Sequence, residues 1–229
     1  VRARALSALA HGERGDLLPL ARGALTDAYL GARLAAIELA DHAGRSLLAE
    51  AAVGSDLFVA LRAAAALRRQ HQAAPAELLP RALASEVWNV RAAAAAAAPD
   101  LVDAPTALTL VAPIAVDDPI VEVRIAAARA LAALGARDKA LPVLAAAAEF
   151  GRTDSARLAA AIELLRLDDP RAAATLAALA TSTTPATRRG VAAAYRQTTR
   201  PGDPVIGALA DDSAEVRLEA AETLLYLTR

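Results

Sequence analysis

The sequence predicts an all-α fold, an α-solenoid of about seven two-helix repeats. Three features lead to this prediction: an alanine-rich word built around an arginine recurs along the chain, a short polar turn precedes each copy, and an amphipathic segment precedes each turn. A unit that recurs every 20–50 residues is typical of repeat architectures, in which stacked units bury a continuous core that one unit alone cannot form.

The repeat is anchored on one arginine per unit. The word VRIAAARAL at Arg124 has similar copies at seven other arginines, and the intervals from the first onward are 29, 29, 29, 33, 33, 31 and 29 residues. These anchors are Arg4, Arg33, Arg62, Arg91, Arg124, Arg157, Arg188 and Arg217. A period near 30 that holds along the whole chain therefore defines the unit.

The composition explains how such a unit packs. Hydrophobic residues make up 56% of the 229 residues, yet aromatic residues make up only 3%. Alanine has the best helix propensity and loses no side-chain entropy on folding. Because alanine is small, the alanine-rich helices are expected to stack near the short end of the ~8–10 Å range of interaxial distances.

Each unit is predicted to contain two helices joined by a polar turn. The first helix is amphipathic and contains proline, as in residues 16–25, 76–83, 107–116 and 139–150. An aspartate stands six residues before the arginine in four turns, where its carboxylate can cap the second helix. We expect these residues to form an Asp–Arg ladder that fixes register, built from Asp27, Arg33, Asp56, Arg62, Arg91, Asp118, Arg124, Arg157, Arg188, Asp211 and Arg217.

These features together resemble HEAT-like repeats, most closely the short bacterial type first noted in phycobilisome lyase subunits. The resemblance spans essentially residues 1–229, is best in 105–150 and 203–229, and is weakest in 86–104. It implies one domain that follows a right-handed superhelix with the second helices on the concave face. The chain is expected to start within a partial first repeat and to end within a final one, as a segment of a longer protein does. The motif indicates a fold and not an activity, since most members are protein-binding scaffolds and a few are enzymes or enzyme subunits.

Charge and hydropathy argue against two classes of partner. The 25 Lys and Arg residues are balanced by 26 Asp and Glu residues, which disfavours binding to nucleic acid or to an anionic membrane surface. The longest apolar run, residues 104–116, is interrupted by two prolines and is shorter than the ~20 residues that a spanning helix needs. We therefore expect no nucleic-acid or membrane partner and, since no targeting segment is visible, a cytoplasmic location.

Two enzymatic branches of the resemblance can be compared with the residues present. Deoxyhypusine hydroxylases resemble this chain in their repeats but bind metal through His-Glu pairs, and this chain has no His-Glu dipeptide. The only histidines, His11, His42 and His71, are interpreted as favourable charges at helix ends rather than as metal ligands. We predict no metal, no cofactor and no catalytic residue.

Alkylpurine DNA glycosylases of this type are basic and have aromatic residues in their groove. Here Tyr29, Phe58 and Trp88 stand three or four residues before an arginine, at the start of a second helix. This shared position favours packing at the helix start over stacking on a base, so DNA repair is not expected.

The leading functional hypothesis is a non-enzymatic protein-interaction scaffold that binds a partner peptide or domain on its concave face. Residues five, eight and nine after each arginine are predicted to point into that face: Glu38, Asp41, His42, Gln70, His71, Arg129, Arg166, Arg196, Gln197 and Glu222. An ordinary solvated helix face remains an equal alternative for these residues.

Two further functions stay open. The chain could be a subunit of a chromophore or cofactor lyase or of another enzyme complex, or a structural spacer within a larger multidomain protein. The last helix leaves Leu224, Leu225 and Leu227 without a capping repeat, and solenoids require polar caps. Self-association through this end is therefore also expected.

Overall fold

The computed structural model describes residues 17–43, 45–198 and 202–228, and every regular element in these ranges is helical. This confirms the all-α class. The partial repeat predicted around Arg4 and the position of His11 lie outside the described residues.

The described helices form seven pairs, which confirms the predicted number of two-helix repeats. The first helices of the pairs are α1 Leu18–Ala24, α3 Arg45–Ala52, α5 Leu78–Leu83, α7 Ala104–Asp117, α9 Arg137–Phe150, α11 Arg171–Leu179 and α13 Asp203–Gly207. The second helices are α2 Leu30–Ala43, α4 Leu57–Arg69, α6 Trp88–Leu101, α8 Val121–Ala133, α10 Asp154–Arg166, α12 Pro185–Ala194 and α14 Ala214–Leu227. Short 3₁₀ turns, Tyr195–Gln197 and Ala208–Ala210, extend α12 and α13.

The chain forms two compact units, Val1–Ile114 (unit 1) and Ala115–Arg229 (unit 2). In unit 1 the second helices α2, α4 and α6 pack against one another in chain order. In unit 2 the second helices α8, α10, α12 and α14 do the same, and α9 and α11 pack against α10. Each unit therefore has the same internal plan of stacked second helices with first helices beside them.

Alanine lines the contacts between second helices. In all seven second helices an alanine three or four residues after the repeat arginine is 0% exposed: Ala36, Ala66, Ala94, Ala95, Ala127, Ala128, Ala160, Ala161, Ala192 and Ala220. Leucines of the first helices fill the space between the layers, with Leu48, Leu79 and Leu144 exposed by no more than 1%. Full burial of such a side chain contributes about 1.5–3 kcal/mol.

Among the helix ends that the structure describes, three second helices end in a left-handed residue. His71 after α4, Gly135 after α8 and Asp168 after α10 have φ values of 59°, 84° and 52°. The amide that follows each one donates to the carbonyl five residues earlier, as Gln72 does to Leu67 at 2.9 Å. This hydrogen bond satisfies a carbonyl that a helix end otherwise leaves unpaired, and glycine is the residue that adopts this conformation without a steric cost.

In the described residues no helix combines the length and the apolar run that crossing a bilayer requires. The cytoplasmic location stays a prediction.

Candidate functional site

The repeat arginines bind the backbone of their own turns. In five repeats the Nη1 atom donates to the carbonyl six residues earlier, at 2.7 Å from Arg33 to Asp27 and 2.6 Å from Arg124 to Asp118. The other three are Arg91 to Ser85 at 2.9 Å, Arg188 to Ser182 at 2.8 Å and Arg217 to Asp211 at 2.7 Å. The guanidinium thus ties the turn to the second helix, whatever residue occupies the turn position.

The side chains of the turn aspartates accept hydrogen bonds from backbone amides that follow them in the chain. Asp27, Asp118 and Asp211 accept a hydrogen bond from the amide two residues later at 2.8–2.9 Å, which is an Asx turn. The predicted capping role holds at Asp56, which is the N-cap of α4 and accepts from Phe58 and Val59. For Asp118 and Asp211 it is wrong, because the N-caps are Ile120 and Ser213 and the aspartates shape the turn before them.

Arg33 and Arg188 form rungs of the expected Asp–Arg ladder. Arg33 Nε lies 2.8 Å from Asp56 Oδ2, and Arg188 Nε lies 2.7 Å from Asp211 Oδ2, each joining one repeat to the next. Arg62 instead pairs with Glu38 of α2 at 3.4 Å, and Arg157 donates to the carbonyl of Ala148. The ladder is interrupted in sequence, since Ser85, Gly151 and Ser182 occupy the positions six residues before Arg91, Arg157 and Arg188.

The residues predicted for the concave face in unit 1 are partly paired with one another. Asp41 accepts from Arg69 and from Gln70, both at 2.7 Å, so α2 and α4 are joined by this cluster. His71 follows the C-cap of α4 in the left-handed conformation, and the side chain of His42 lies outside the described part of the chain. Sequence reasoning missed Arg69, whose exposed side chain carries the ion pair.

In unit 2 the predicted residues also contact neighbouring repeats. Arg166 binds Glu163 at 2.8 Å and Gln197 at 3.1 Å, and Arg129 lies 3.9 Å from the same Glu163. Arg196 in turn contacts Glu222 at 3.2 Å and Glu219 at 2.5 Å. Glu163 and Glu219 were not predicted, although both lie on second helices within reach of arginines that were. These charges neutralise each other between repeats, which makes them poor anchors for a partner.

Exposed apolar side chains form a second candidate surface, distinct from these charged residues. The turn edge is defined here as the stretch of each repeat from the last turn of its first helix to the first turn of its second. Among the described residues, every large hydrophobic side chain between positions 29 and 150 that is strongly exposed lies on this edge: Tyr29, Val53, Val87, Trp88, Val116 and Phe150. Tyr29 and Trp88, for which packing at the helix start was predicted, keep 66% and 46% of their surface exposed.

In unit 2 the turn edge forms a groove of about 910 Å³ between the α7–α8 turn and the C-terminal half of α9. Its walls include Val116, Pro119, Ile120, Pro142, Val143 and Phe150. Val116 and Phe150 are 68% and 74% exposed. We call this cavity the turn-edge groove.

Small residues open the groove. Ala146 and Ala147 line it on α9, and Gly151 ends that helix at the wall. A Cβ on Gly151 would lie 2.5 Å from the carbonyl oxygen of Ala147 and 2.9 Å from Arg157 Cγ, so any larger residue would displace the turn. The helix ends at Phe150, whose side chain is 74% exposed beside Gly151.

Three charged residues line the groove as well. Arg124 is held by the carbonyl of Asp118, whereas Glu122 and Arg152 have no ion-pair partner within the described ranges. The groove thus combines an apolar surface with one acid and one base that are available to a ligand.

The described residues contain no cluster of three or more metal-ligating side chains. The expectations of no metal, no cofactor and no catalytic residue stay predictions.

Comparison with protein families shows that residues 108–197 match the model for HEAT repeats. This confirms the predicted repeat type over that segment, whereas the narrower resemblance to phycobilisome lyase repeats stays a prediction. No curated protein matches the chain. The chain is similar to a solved structure of human deoxyhypusine hydroxylase in complex with glycerol, with 16% identity, a TM-score of 0.41, and coverage of 99% of this chain and 98% of that one. At that identity and score the similarity supports no inference about function.

Proposed function

We propose that this helical repeat protein is a non-enzymatic protein-interaction module whose turn-edge groove binds a short apolar segment of a partner protein. The observation that carries the proposal is the groove itself, with Val116 and Phe150 exposed on its walls. Concave sites lined mainly by apolar side chains with a few polar groups are the usual form of binding sites.

The dimensions and charges of the groove define its occupant. The α9 wall runs from Pro142 to Phe150, and eight residues of helix measure about 12 Å at 1.5 Å per residue. This length accommodates about two turns of helix or about four extended residues. The unpaired Glu122 and Arg152 favour a segment whose apolar residues are accompanied by one basic and one acidic residue.

The energetics favour a modest affinity. Full burial of a valine or phenylalanine side chain contributes about 1.5–3 kcal/mol, while association costs at least about 4 kcal/mol in lost freedom. Several groove side chains must therefore be covered together, and a dissociation constant in the micromolar range is expected, which corresponds to about −8 kcal/mol.

The charged face of the second helices supports binding less well. Asp41 and Arg196 are engaged by neighbouring repeats, and Glu163 is engaged by Arg166 of its own helix and by Arg129 of the preceding repeat. A partner would have to break these pairs before using the charges. An exposed apolar groove requires no such loss, because its residues lack competing contacts of that kind.

A random peptide library displayed on phage tests the proposal. We expect enriched peptides to be rich in apolar residues and to bind the purified protein with micromolar dissociation constants. Phe150→Glu should weaken this binding at least tenfold, because a carboxylate would replace an apolar wall. The matched control is Ile206→Glu, since Ile206 is also exposed, at 51%, but lies outside the groove.

Circular dichroism should show the same helical content for both variants, because both side chains are largely exposed. No enrichment over an unrelated protein would contradict the proposal. So would a selection in which no enriched peptide binds Phe150→Glu more weakly than the unaltered protein.

A further inference from the structure

We infer that the turn edge of unit 1 is a second interaction surface, which binds an amphipathic α-helix of a partner protein with apolar side chains seven residues apart. Its core is a row of three residues at equivalent positions, Tyr29, Phe58 and Val87, each four residues before its repeat arginine. Trp88 lies beside Val87 at the start of α6. This surface belongs to unit 1, so the inference does not depend on the turn-edge groove of unit 2.

The spacing of the row follows from helix packing. Tyr29, Phe58 and Val87 lie at the N-terminal ends of α2, α4 and α6, and these helices pack on one another in that order. Axes of packed helices are about 8–10 Å apart. The row therefore places an apolar side chain about every 8–10 Å along the edge.

A partner helix comes close to this interval. Residues seven apart lie on nearly the same face of an α-helix and are separated by about 10.5 Å, since each residue rises 1.5 Å. An extended segment presents the same face about every 6.6–6.8 Å, and the residue three positions further along, at about 10 Å, points the opposite way. The row thus fits heptad-spaced apolar residues of a helix better than those of a strand.

The row is accessible. Tyr29, Val87 and Trp88 are 66%, 53% and 46% exposed, and Phe58 between them is half-buried. Gly31 allows the Tyr29 ring to lie over the first turn of α2, because a Cβ at that glycine would be 2.6 Å from Tyr29 Cε1. Such a line of exposed apolar residues is uncommon on a surface without a partner.

The charge at one end of the row defines the partner further. Glu86 is exposed beside Val87 and Trp88, and its carboxylate has no ion-pair partner in the described part of unit 1. Arg91 is directed at the turn backbone, with hydrogen bonds to the carbonyls of Ser85 and Glu86. A partner helix with a lysine or arginine next to the apolar residue that contacts Trp88 would complement this charge.

Trp88 provides the measurement, since it is the only tryptophan in the chain. The probe is a synthetic helical peptide of about 21 residues, free of tryptophan, with leucine at every seventh position and lysine beside it. A control peptide has the same composition with leucine at every fifth position, which scatters leucine around the helix. Titration with the first peptide should give a saturable blue shift of Trp88 emission, and the control should bind at least tenfold more weakly.

Variants distinguish this surface from the groove. Tyr29→Glu and, separately, Val87→Glu should raise the dissociation constant at least tenfold, while Glu86→Gln should raise it about two- to fivefold. Phe150→Glu, in the groove of unit 2, should leave it unchanged. Absence of a saturable shift, equal binding of the two peptides, or full affinity in both Tyr29→Glu and Val87→Glu would overturn the inference without bearing on the groove.

Discussion

Arg188 holds Asp211 of the following repeat through two hydrogen bonds, 2.7 Å from Nε and 2.8 Å from Nη2. This fork lowers the pKa of the Asp211 carboxyl well below its usual range. Asp169 is held in the same way by Arg171, whose hydrogen bond lowers the pKa of that carboxyl to about 2. Both aspartates lie in turns of unit 2, where each carboxylate also accepts a hydrogen bond from a backbone amide.

The first prediction concerns the stability of the protein at low pH. Because the folded-state pKa values of Asp169 and Asp211 are lowered, the unfolded chain takes up protons first, and the free energy of unfolding falls as the pH drops from about 5 towards 2. Asp211→Asn should be less stable than the unaltered protein at pH 7 and should lose less of its stability over this range. Urea denaturation at pH 7, 4 and 3 checks this, and parallel curves for the two proteins would contradict it.

The second prediction concerns the left-handed helix ends. Asp168→Gly should raise the free energy of unfolding by about 0.5–1 kcal/mol, because glycine adopts a φ of 52° without the steric cost of a side chain. Asp168 is exposed, so little else is lost. The reverse control is Gly135→Ala, which should lower stability by about 1 kcal/mol at a φ of 84°. Equal effects of the two substitutions in urea denaturation would argue against this reasoning.

The third prediction concerns a buried hydroxyl. Thr223 on α14 is 0% exposed, and its Oγ1 has no hydrogen-bond partner in the described structure. An unsatisfied buried polar atom costs about 1–3 kcal/mol. Thr223→Val keeps the shape of the side chain and should raise the melting temperature. Thr223→Ala also leaves a cavity, so it should raise the melting temperature less. A lower melting temperature for the valine variant would show that the hydroxyl is satisfied.

The fourth prediction concerns the alanine contacts. Ala161 on α10 is fully buried in a cluster with Leu176, Val191 and Ala192. Ala161→Leu should destabilise the protein by about 1–3 kcal/mol, because the added side chain has to push α10 away from its neighbours. Ala133→Leu is the matched control at an exposed position of α8 and should change stability by less than about 0.5 kcal/mol. Similar unfolding curves for the two variants would show that the helix contacts around Ala161 have room for a larger side chain.

Much of the fold was predictable from local signals. The arginine-centred word, the polar turn and the proline-containing first segment each reflect helix propensity and periodicity, and the second helices begin within a few residues of where these signals place them. The hydrogen-bond partners of the repeat arginines were less predictable. A guanidinium can bind a carboxylate or a carbonyl, and the backbone of the turn provides a carbonyl in every repeat whether or not an aspartate is present.

The candidate site was the hardest part to predict. The concave-face residues were chosen by their position on the helix, but their charges have partners on adjacent repeats, and such pairs depend on how neighbouring helices stack. Phe150 reads in the sequence as the last apolar residue of an amphipathic helix, which suggests burial. It is instead 74% exposed at the end of α9, because burial depends on what the neighbouring repeat places against a side chain, which a local pattern does not show.

The central claim is that this protein binds through its apolar turn edge and not through the charged face of its second helices. The most direct measurement is the dissociation constant of one phage-selected peptide for two variants, Phe150→Glu and the double variant Arg129→Glu with Arg196→Glu. The account predicts at least a tenfold loss for the first and no change for the second. Unchanged binding by Phe150→Glu together with a loss in the double variant would contradict it.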